Sequence, residues 1–181
     1  MKAPAYSIHA FGLKYRFFLR AFTKFLLIGC LFIPASARTE TWQGQVIRVT
    51  DGDSLVVDRG DGRKIKVRVA EIDAPEHGQP FADVARRHAE QLVGKRMVQI
   101  HEKERDRYDR VVGWVKCDGL EDFGKEMVRV GLAWRHVRYG KNPELTRLEK
   151  EARQRRIGLW SEPNPTPPWV WKQAHPHPEW K

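Results

Sequence analysis

The sequence predicts an α+β fold that is mainly β, in which short antiparallel strands form a meander or a small barrel with helices beside it. Apolar and basic residues alternate between residues 64 and 69, where Ile65, Val67 and Val69 are separated by basic side chains. This period of two is typical of a strand with one buried face. The turn sequences Asp51-Gly52 and Arg59–Gly62 bound the preceding strand, as in consecutive hairpins. After residue 80 the apolar spacing becomes helical.

In chain order, the predicted elements are three strands, one helix, two strands and two helices. Pro80 suits the first turn of the first helix, and Gly94 suits its end. Asn142 and Pro143 are typical of an N-cap and a first helical residue, and Gly158 closes that last helix. The strands are predicted at 42–50, 53–58, 64–72, 96–102 and 110–117, and the helices at 80–94, 121–130 and 143–157.

Residues 1–37 have the features of a cleaved signal peptide. Basic side chains precede the apolar run Phe25–Ile33, which is followed by a segment of small residues ending in A-x-A at Ala37. The run is shorter than the roughly 20 residues of an ordinary membrane span. An uncleaved anchor and lipidation at Cys30 are the alternatives. We therefore expect a secreted or periplasmic monomer with no stable membrane association after cleavage.

The cleaved chain would be a single domain at 38–160 followed by a tail at 161–181. It would keep 144 of the 181 residues, and loss of five Lys and Arg residues would reduce the net charge from +10 to +5. This moderate basic excess favours polyanionic partners. Cys117 would be the remaining cysteine, which excludes an intramolecular disulfide. The tail is rich in Pro and Trp, a composition that predicts an extended segment.

Three polar segments, at 51–54, 68–76 and 105–110, together predict a phosphodiester-cleaving site, although each alone is typical of a solvated turn or loop. The hard carboxylate oxygens of Asp53 and Asp73 suit Ca²⁺ or Mg²⁺, and no Cys/His spacing supports zinc. The guanidiniums of Arg68 and Arg110 can each donate paired hydrogen bonds to phosphate oxygens. Glu76 is the carboxylate left to act as a base toward an attacking water.

Four ordered motifs give the chain a resemblance to a known family. The stretches DGDS, KVRVAEIDAPE, RDRYDRVVGWV and GLAW…RYGKN…IGLW occur in the order seen in the staphylococcal nuclease (thermonuclease) family, over about residues 42–160. The resemblance implies a five-stranded OB-type barrel with three helices. It also implies Ca²⁺-dependent hydrolysis of DNA and RNA, with single-stranded or denatured nucleic acid favoured, leaving 3′-phosphate and 5′-hydroxyl ends.

The resemblance also implies the ligands of the cation and the base. Asp53 and Asp73 correspond to the calcium carboxylates, and the main-chain carbonyl of Ala74 to a further ligand. Asp51 would lie near the ion as a secondary contributor. Glu76 corresponds to the proposed general base.

The substrate contacts follow in the same way. Arg68 and Arg110 would grip the scissile phosphate, and Tyr108 and Tyr139 would touch the nucleotide. Asp109 replaces a glycine of the family in front of Arg110, a change expected to affect the conformation of that loop.

Other departures from the family pattern concern the nucleotide pocket. Ala74 replaces a threonine, and the segment after Glu76 is shorter than in the family. Val137, or His136 in a shifted register, takes the place of a second pocket tyrosine. The alternative to an enzyme is an OB-fold module that binds nucleic acid without cleaving it. Retention of all the implied catalytic residues favours the enzyme.

Overall fold

The computed structural model describes residues 40–176. The predicted signal peptide at 1–37 lies outside the described residues. The strands are β1 (Thr41–Asp51), β2 (Ser54–Asp58), β3 (Lys64–Val69), β4 (Ile72–Asp73), β5 (Met97–Arg105), β6 (Val111–Lys116) and β7 (Trp134–Arg135). The helices are α1 (Ala82–Val93), α2 (Phe123–Arg129), α3 (Pro143–Arg155) and α4 (Pro168–Ala174), with a 3-10 helix at Gly158–Ser161 between the last two.

Five strands close into a barrel in the order β1-β2-β3-β6-β5, which confirms the predicted fold class. All neighbours are antiparallel except β3 and β6, which run parallel with Val67 opposite Val111. One apolar side chain from each strand illustrates the filling of the interior, which is typical of small barrels. These fully buried residues are Val46, Leu55, Val67, Ile100 and Val115.

A second, two-stranded sheet follows the barrel strand β3. Ile72 and Asp73 of β4 pair with Arg135 and Trp134 of β7. The chain turns into β4 at Glu71, which has a left-handed φ of +66°. No pattern in the sequence predicts strand β7. Its pairing with β4 fixes the position of Asp73.

The helices differ from the predictions mainly at their ends. Asn142 caps α3, with its Oδ1 accepting a hydrogen bond from Glu144 N at 2.9 Å, as predicted. Helix α1 begins at Ala82 rather than near Pro80, because Phe81 adopts a left-handed conformation with φ +67°. Within residues 40–176, none of the helices has the length and apolar composition required to cross a membrane.

The C-terminal segment is not the extended tail that its composition predicts. Residues 168–174 form helix α4, which begins with Pro168 after Pro167. Proline at the first helical position is favoured because its missing N–H needs no partner there. Trp169 packs against a small apolar cluster that includes Trp134 and Trp160. Burial of this indole surface supplies the stabilisation that an exposed tail would lack.

Candidate active site

The site begins where the β1–β2 hairpin, the end of β3 and the short strand β4 meet. Ser54 of β2 lies opposite Arg68 of β3, and Val69 N donates a hydrogen bond to Asp53 O at 2.8 Å. A Cβ atom at Gly52 would lie 2.7 Å from the Cβ of Ala74. The glycine of the hairpin turn is therefore needed for close packing as well as for the turn itself.

Asp53 and Asp73 form a buried pair of carboxylates. Their residues are only 2% and 3% exposed. Arg68 forms ion pairs with both, and its Nη2 lies 2.6 Å from Asp73 Oδ1. Asp53 Oδ2 accepts a hydrogen bond from Ala74 N at 2.6 Å, which holds the main chain of Ala74 beside the pair. Because buried carboxylates need charged or hydrogen-bonding partners, this arrangement is internally satisfied.

Asp51 lies beside this pair at the hairpin turn. Its Oδ1 accepts a hydrogen bond from Asp53 N at 2.9 Å. Burial raises the pKa of Asp51, and the positive charges of Arg68, Arg110 and Lys172 oppose that rise. Three cationic side chains therefore act electrostatically on one carboxylate.

Glu76 is held at both its backbone and its carboxylate. Its N–H donates to Gln79 Oε1 at 3.0 Å, and its Oε1 lies 2.7 Å from Lys172 Nζ on α4. Burial raises the pKa of Glu76, whereas Lys172 lowers it; the nearby carboxylates of Asp73 and Asp51 contribute to the rise. Glu76 therefore belongs to the same electrostatic environment as the buried carboxylate pair.

Arg110 lies on a tight loop between β5 and β6 that is organised by Asp106. The Nε of Arg110 is 2.7 Å from Asp106 Oδ2, and Arg110 N donates to Asp106 Oδ1 at 3.0 Å. Asp109, in front of Arg110, has a left-handed φ of +58°. Aspartate tolerates this region better than most non-glycine residues, so the loop adopts a left-handed residue here without a glycine.

The two predicted nucleotide-contacting tyrosines are exposed at different loops. The hydroxyl of Tyr108 accepts a hydrogen bond from Arg107 Nη2 at 2.6 Å, and the Arg110 guanidinium carbon lies 5.5 Å from the Tyr108 ring centre. The ring of Tyr139 lies 4.7 Å from that of His136. Val137 is exposed. His136, rather than Val137, therefore pairs with Tyr139.

The available metal donors are hard oxygens. Among residues 40–176, no group of three or more His, Cys, Asp or Glu side chains has an arrangement that could hold a metal ion. The donors that fit a cation are the carboxylates of Asp53 and Asp73 with the main chain of Ala74 beside them. This donor chemistry suits Ca²⁺ or Mg²⁺, with water completing the coordination, and does not suit a soft metal.

Two residues near Glu76 were missed by sequence reasoning. Gln79 is a buried polar residue whose amide joins Glu76 to the C-terminal segment, because its Nε2 donates to Thr166 O at 2.6 Å. Lys172 lies in the segment whose composition predicts an extended tail. The Pro167-Pro168 pair was an available helix-start signal, but nothing in the sequence indicated where that helix would dock.

Comparison with known proteins gives a consistent set of relatives. Residues 66–162 match the family model described as staphylococcal nuclease homologue. The chain is 41% identical over 154 residues to a protein of Shigella flexneri named micrococcal nuclease, covering 78% of this chain and 85% of that protein. It is 39% identical over 130 residues to an uncharacterized endonuclease of Escherichia coli, covering 71% and 84% respectively. It is also 37% identical over 153 residues to protein ParB of Escherichia coli, covering 79% and 86%.

Proposed function

The chain belongs to the staphylococcal nuclease family, and we propose that this nuclease is a secreted, Ca²⁺-dependent enzyme that hydrolyses DNA and RNA to leave 3′-phosphate and 5′-hydroxyl ends. The observation that carries the proposal is the position of Arg68 between the buried carboxylates of Asp53 and Asp73. The proposed metal ligands and the proposed phosphate-binding guanidinium are therefore adjacent.

The cation would be held by Asp53, Asp73 and the main-chain carbonyl of Ala74, with Asp51 as a secondary contributor. When bound, Ca²⁺ would neutralise phosphodiester charge and supply Lewis-acid stabilisation. So few protein ligands imply weak binding, with a Kd of about 10⁻⁴–10⁻³ M, as in extracellular calcium modules. This affinity suits a compartment in which calcium is abundant.

Arg68 and Arg110 would stabilise the charge that develops on the phosphate oxygens. Each is paired with an acidic partner: Arg68 with the carboxylate pair, and Arg110 with Asp106. A guanidinium can exchange a carboxylate for a phosphate, since both accept paired hydrogen bonds. Loss of one such donor typically lowers the rate by about 10²–10³-fold.

Glu76 would act as the general base. A carboxylate oxygen of Glu76 would take a proton from the attacking water as the water oxygen bonds to phosphorus. The bond from phosphorus to the 5′ oxygen would break, and the 5′ oxygen would take a proton from solvent to leave as a hydroxyl. Its pKa is raised by burial, which brings its basicity closer to that needed near neutral pH. The exposed rings of Tyr108 and Tyr139 would contact the nucleotide, and unstacked bases of single strands would reach them most readily.

The cellular location is proposed from the leader alone. Cleavage after Ala37 would give a mature chain that begins at Arg38 and consists of the domain 38–160 and the segment 161–181. Mass spectrometry of the protein recovered from the periplasm or medium of the expressing cell tests this proposal. Recovery only of an uncleaved or lipidated form in the membrane fraction would refute it.

The activity is tested by digestion of heat-denatured DNA and of RNA by the purified protein, with calcium or with a chelator. We expect cleavage with calcium alone, and products whose 5′ ends accept a labelled phosphate from a kinase without prior dephosphorylation. Arg68→Ala and Glu76→Gln should each lower kcat by about 10²-fold or more. The exposed Arg155→Ala and Glu121→Gln are matched controls.

The same experiment decides between the enzyme and the nucleic-acid-binding OB module. Cleavage that is indifferent to chelator and to both substitutions would refute the proposed mechanism. Binding of DNA without cleavage by the wild type would favour the inactive module.

A further inference from the structure

The C-terminal helix α4 brings a lysine onto the proposed base. Lys172 Nζ lies 2.7 Å from Glu76 Oε1, and the two side chains are 38% and 15% exposed respectively. The two residues are 96 positions apart in the sequence. Their contact is therefore a product of how the C-terminal segment docks, not of local chain geometry.

Two contacts dock this segment independently of the ion pair. Gln79 donates from its Nε2 to Thr166 O at 2.6 Å, while its Oε1 accepts from Glu76 N at 3.0 Å. One buried amide thus links the segment directly to the backbone of Glu76. Trp169 adds apolar contact with the cluster that includes Trp134 and Trp160. Thr166 and Trp169 both precede Lys172 in the chain, and their contacts hold α4 where Lys172 reaches Glu76.

Gln79 and Lys172 together orient the side chain of Glu76. Gln79 fixes the backbone of Glu76, and Lys172 engages Oε1 of its carboxylate. The ion pair is formed at Oε1, so Oε2 is the oxygen that would be left to meet an attacking water. Lys172 also acts electrostatically on Asp51 and His136, so its charge reaches the centre of the site.

We propose that Lys172 is a positioning residue of the nuclease, which holds the Glu76 carboxylate in the orientation that presents its second oxygen to the attacking water. The C-terminal segment at 161–174 is then part of the active site. This inference rests on the proposed function, because it assumes that Glu76 is the base. If the ion pair instead blocked Glu76, the same contact would inhibit the enzyme. Removal of Lys172 would lower kcat in the first case and raise it in the second.

The test compares Lys172→Ala, Lys172→Arg and the control Lys150→Ala in the full chain. Lys150 is exposed on α3 and makes no ion pair among the residues described. We expect Lys172→Ala to lower kcat by about 10–100-fold, as for other residues that orient a catalytic group, with KM within about twofold of wild type. Lys172→Arg should restore kcat to within about threefold of wild type, since it keeps a donor and a charge. Lys150→Ala should match the wild type.

A double substitution supplies the decisive comparison. If Lys172 acts through Glu76, Lys172→Ala should add less than about twofold to the loss caused by Glu76→Gln, because residues that act as a unit are non-additive. Binding of a fluorescein-labelled single-stranded oligonucleotide without added cation, followed by anisotropy, should change less than about twofold in Lys172→Ala.

The outcomes separate the two levels of inference. An active wild type whose kcat is unchanged or raised by Lys172→Ala would overturn the positioning role alone, and so would additive losses in the double variant. A wild type that does not cleave nucleic acid with calcium would overturn the proposed function, and the positioning role with it. Equal melting temperatures of wild type and Lys172→Ala exclude unfolding as the cause of a lower kcat.

Discussion

Substitution of Arg68 by alanine should destabilise the protein in the absence of divalent cations. The side chain of Arg68 is 15% exposed and pairs with Asp53 and Asp73, which are themselves buried. Removing one member of a buried charge network typically costs 3–5 kcal/mol, because the remaining charges lose their partner. Because the Arg68 side chain itself keeps partial contact with solvent, we expect about 3 kcal/mol, the lower end of that range.

Calcium should recover part of this loss. A cation that binds the folded state adds about 2.7 kcal/mol at a concentration 100 times its Kd. It should stabilise Arg68→Ala more than the wild type, because in the wild type Arg68 competes for the same two carboxylates. The free energy of unfolding of Arg68→Lys should lie between those of the wild type and Arg68→Ala, since lysine keeps the positive charge but not the forked donors of arginine.

Urea denaturation followed by tryptophan fluorescence, with chelator or with saturating calcium, measures both effects. Arg155→Ala is the control for loss of an arginine from an exposed position. A loss below about 0.5 kcal/mol in Arg68→Ala, the usual range for surface substitutions, would refute the buried network. If Arg68→Ala loses the expected free energy of unfolding and calcium fails to reduce that loss, the assignment of Asp53 and Asp73 as cation ligands is refuted.

Substitutions at three positions test other features of the structure. Glu76→Gln should raise the free energy of unfolding at neutral pH, because burial raises the pKa of Glu76 above its ordinary 4.5 and ionisation therefore costs stability in the folded state. This gain should disappear in urea titrations as the pH falls below 4.5, and a gain independent of pH would contradict the reasoning. Asp109→Gly should keep activity within about twofold, whereas Asp109→Val should lose about 1–2 kcal/mol of stability at this left-handed position. Equal melting temperatures of the two Asp109 variants would disprove the conformational argument. Trp169→Ala should accelerate tryptic cleavage after Lys172 by releasing α4, with the exposed Val170→Ala as control. Unchanged cleavage kinetics would show that Trp169 does not anchor the helix.

The barrel was predictable because its signals are local. The alternation around Val67 and the Asp51-Gly52 turn specify a strand and a hairpin within a few residues, and both occur. Asn142 similarly caps its helix through a hydrogen bond two residues away. Arg68 and Asp73 are only five residues apart on a strand and its continuation, so the sequence alone was enough to suggest their proximity.

The docking of the C-terminal segment was not predictable in this way. Its contacts join residues separated by most of a domain, as in the hydrogen bond from Gln79 to Thr166. Such contacts depend on the shape of the surface that α4 meets, which only the assembled fold defines. The proline-rich composition does not predict the helix, because α4 is stabilised by the tertiary packing of Trp169 rather than by local helix propensity.

The arrangement of charges suggests that cation and substrate assist each other. Arg68 holds the two carboxylates that would bind calcium, so a bound cation would remove the partners of Arg68 and free its guanidinium for phosphate. Conversely, a phosphate that attracts Arg68 would leave the carboxylates with an uncompensated negative charge that favours the cation. Linkage requires that the cation strengthen phosphate binding by the same free energy as the phosphate strengthens cation binding. On the proposed mechanism, the acidic cluster of this basic chain would serve an exchange of partners. Asp53 and Asp73 would keep Arg68 in place until a divalent cation bound them, and Arg68 would then compensate the charge of the substrate.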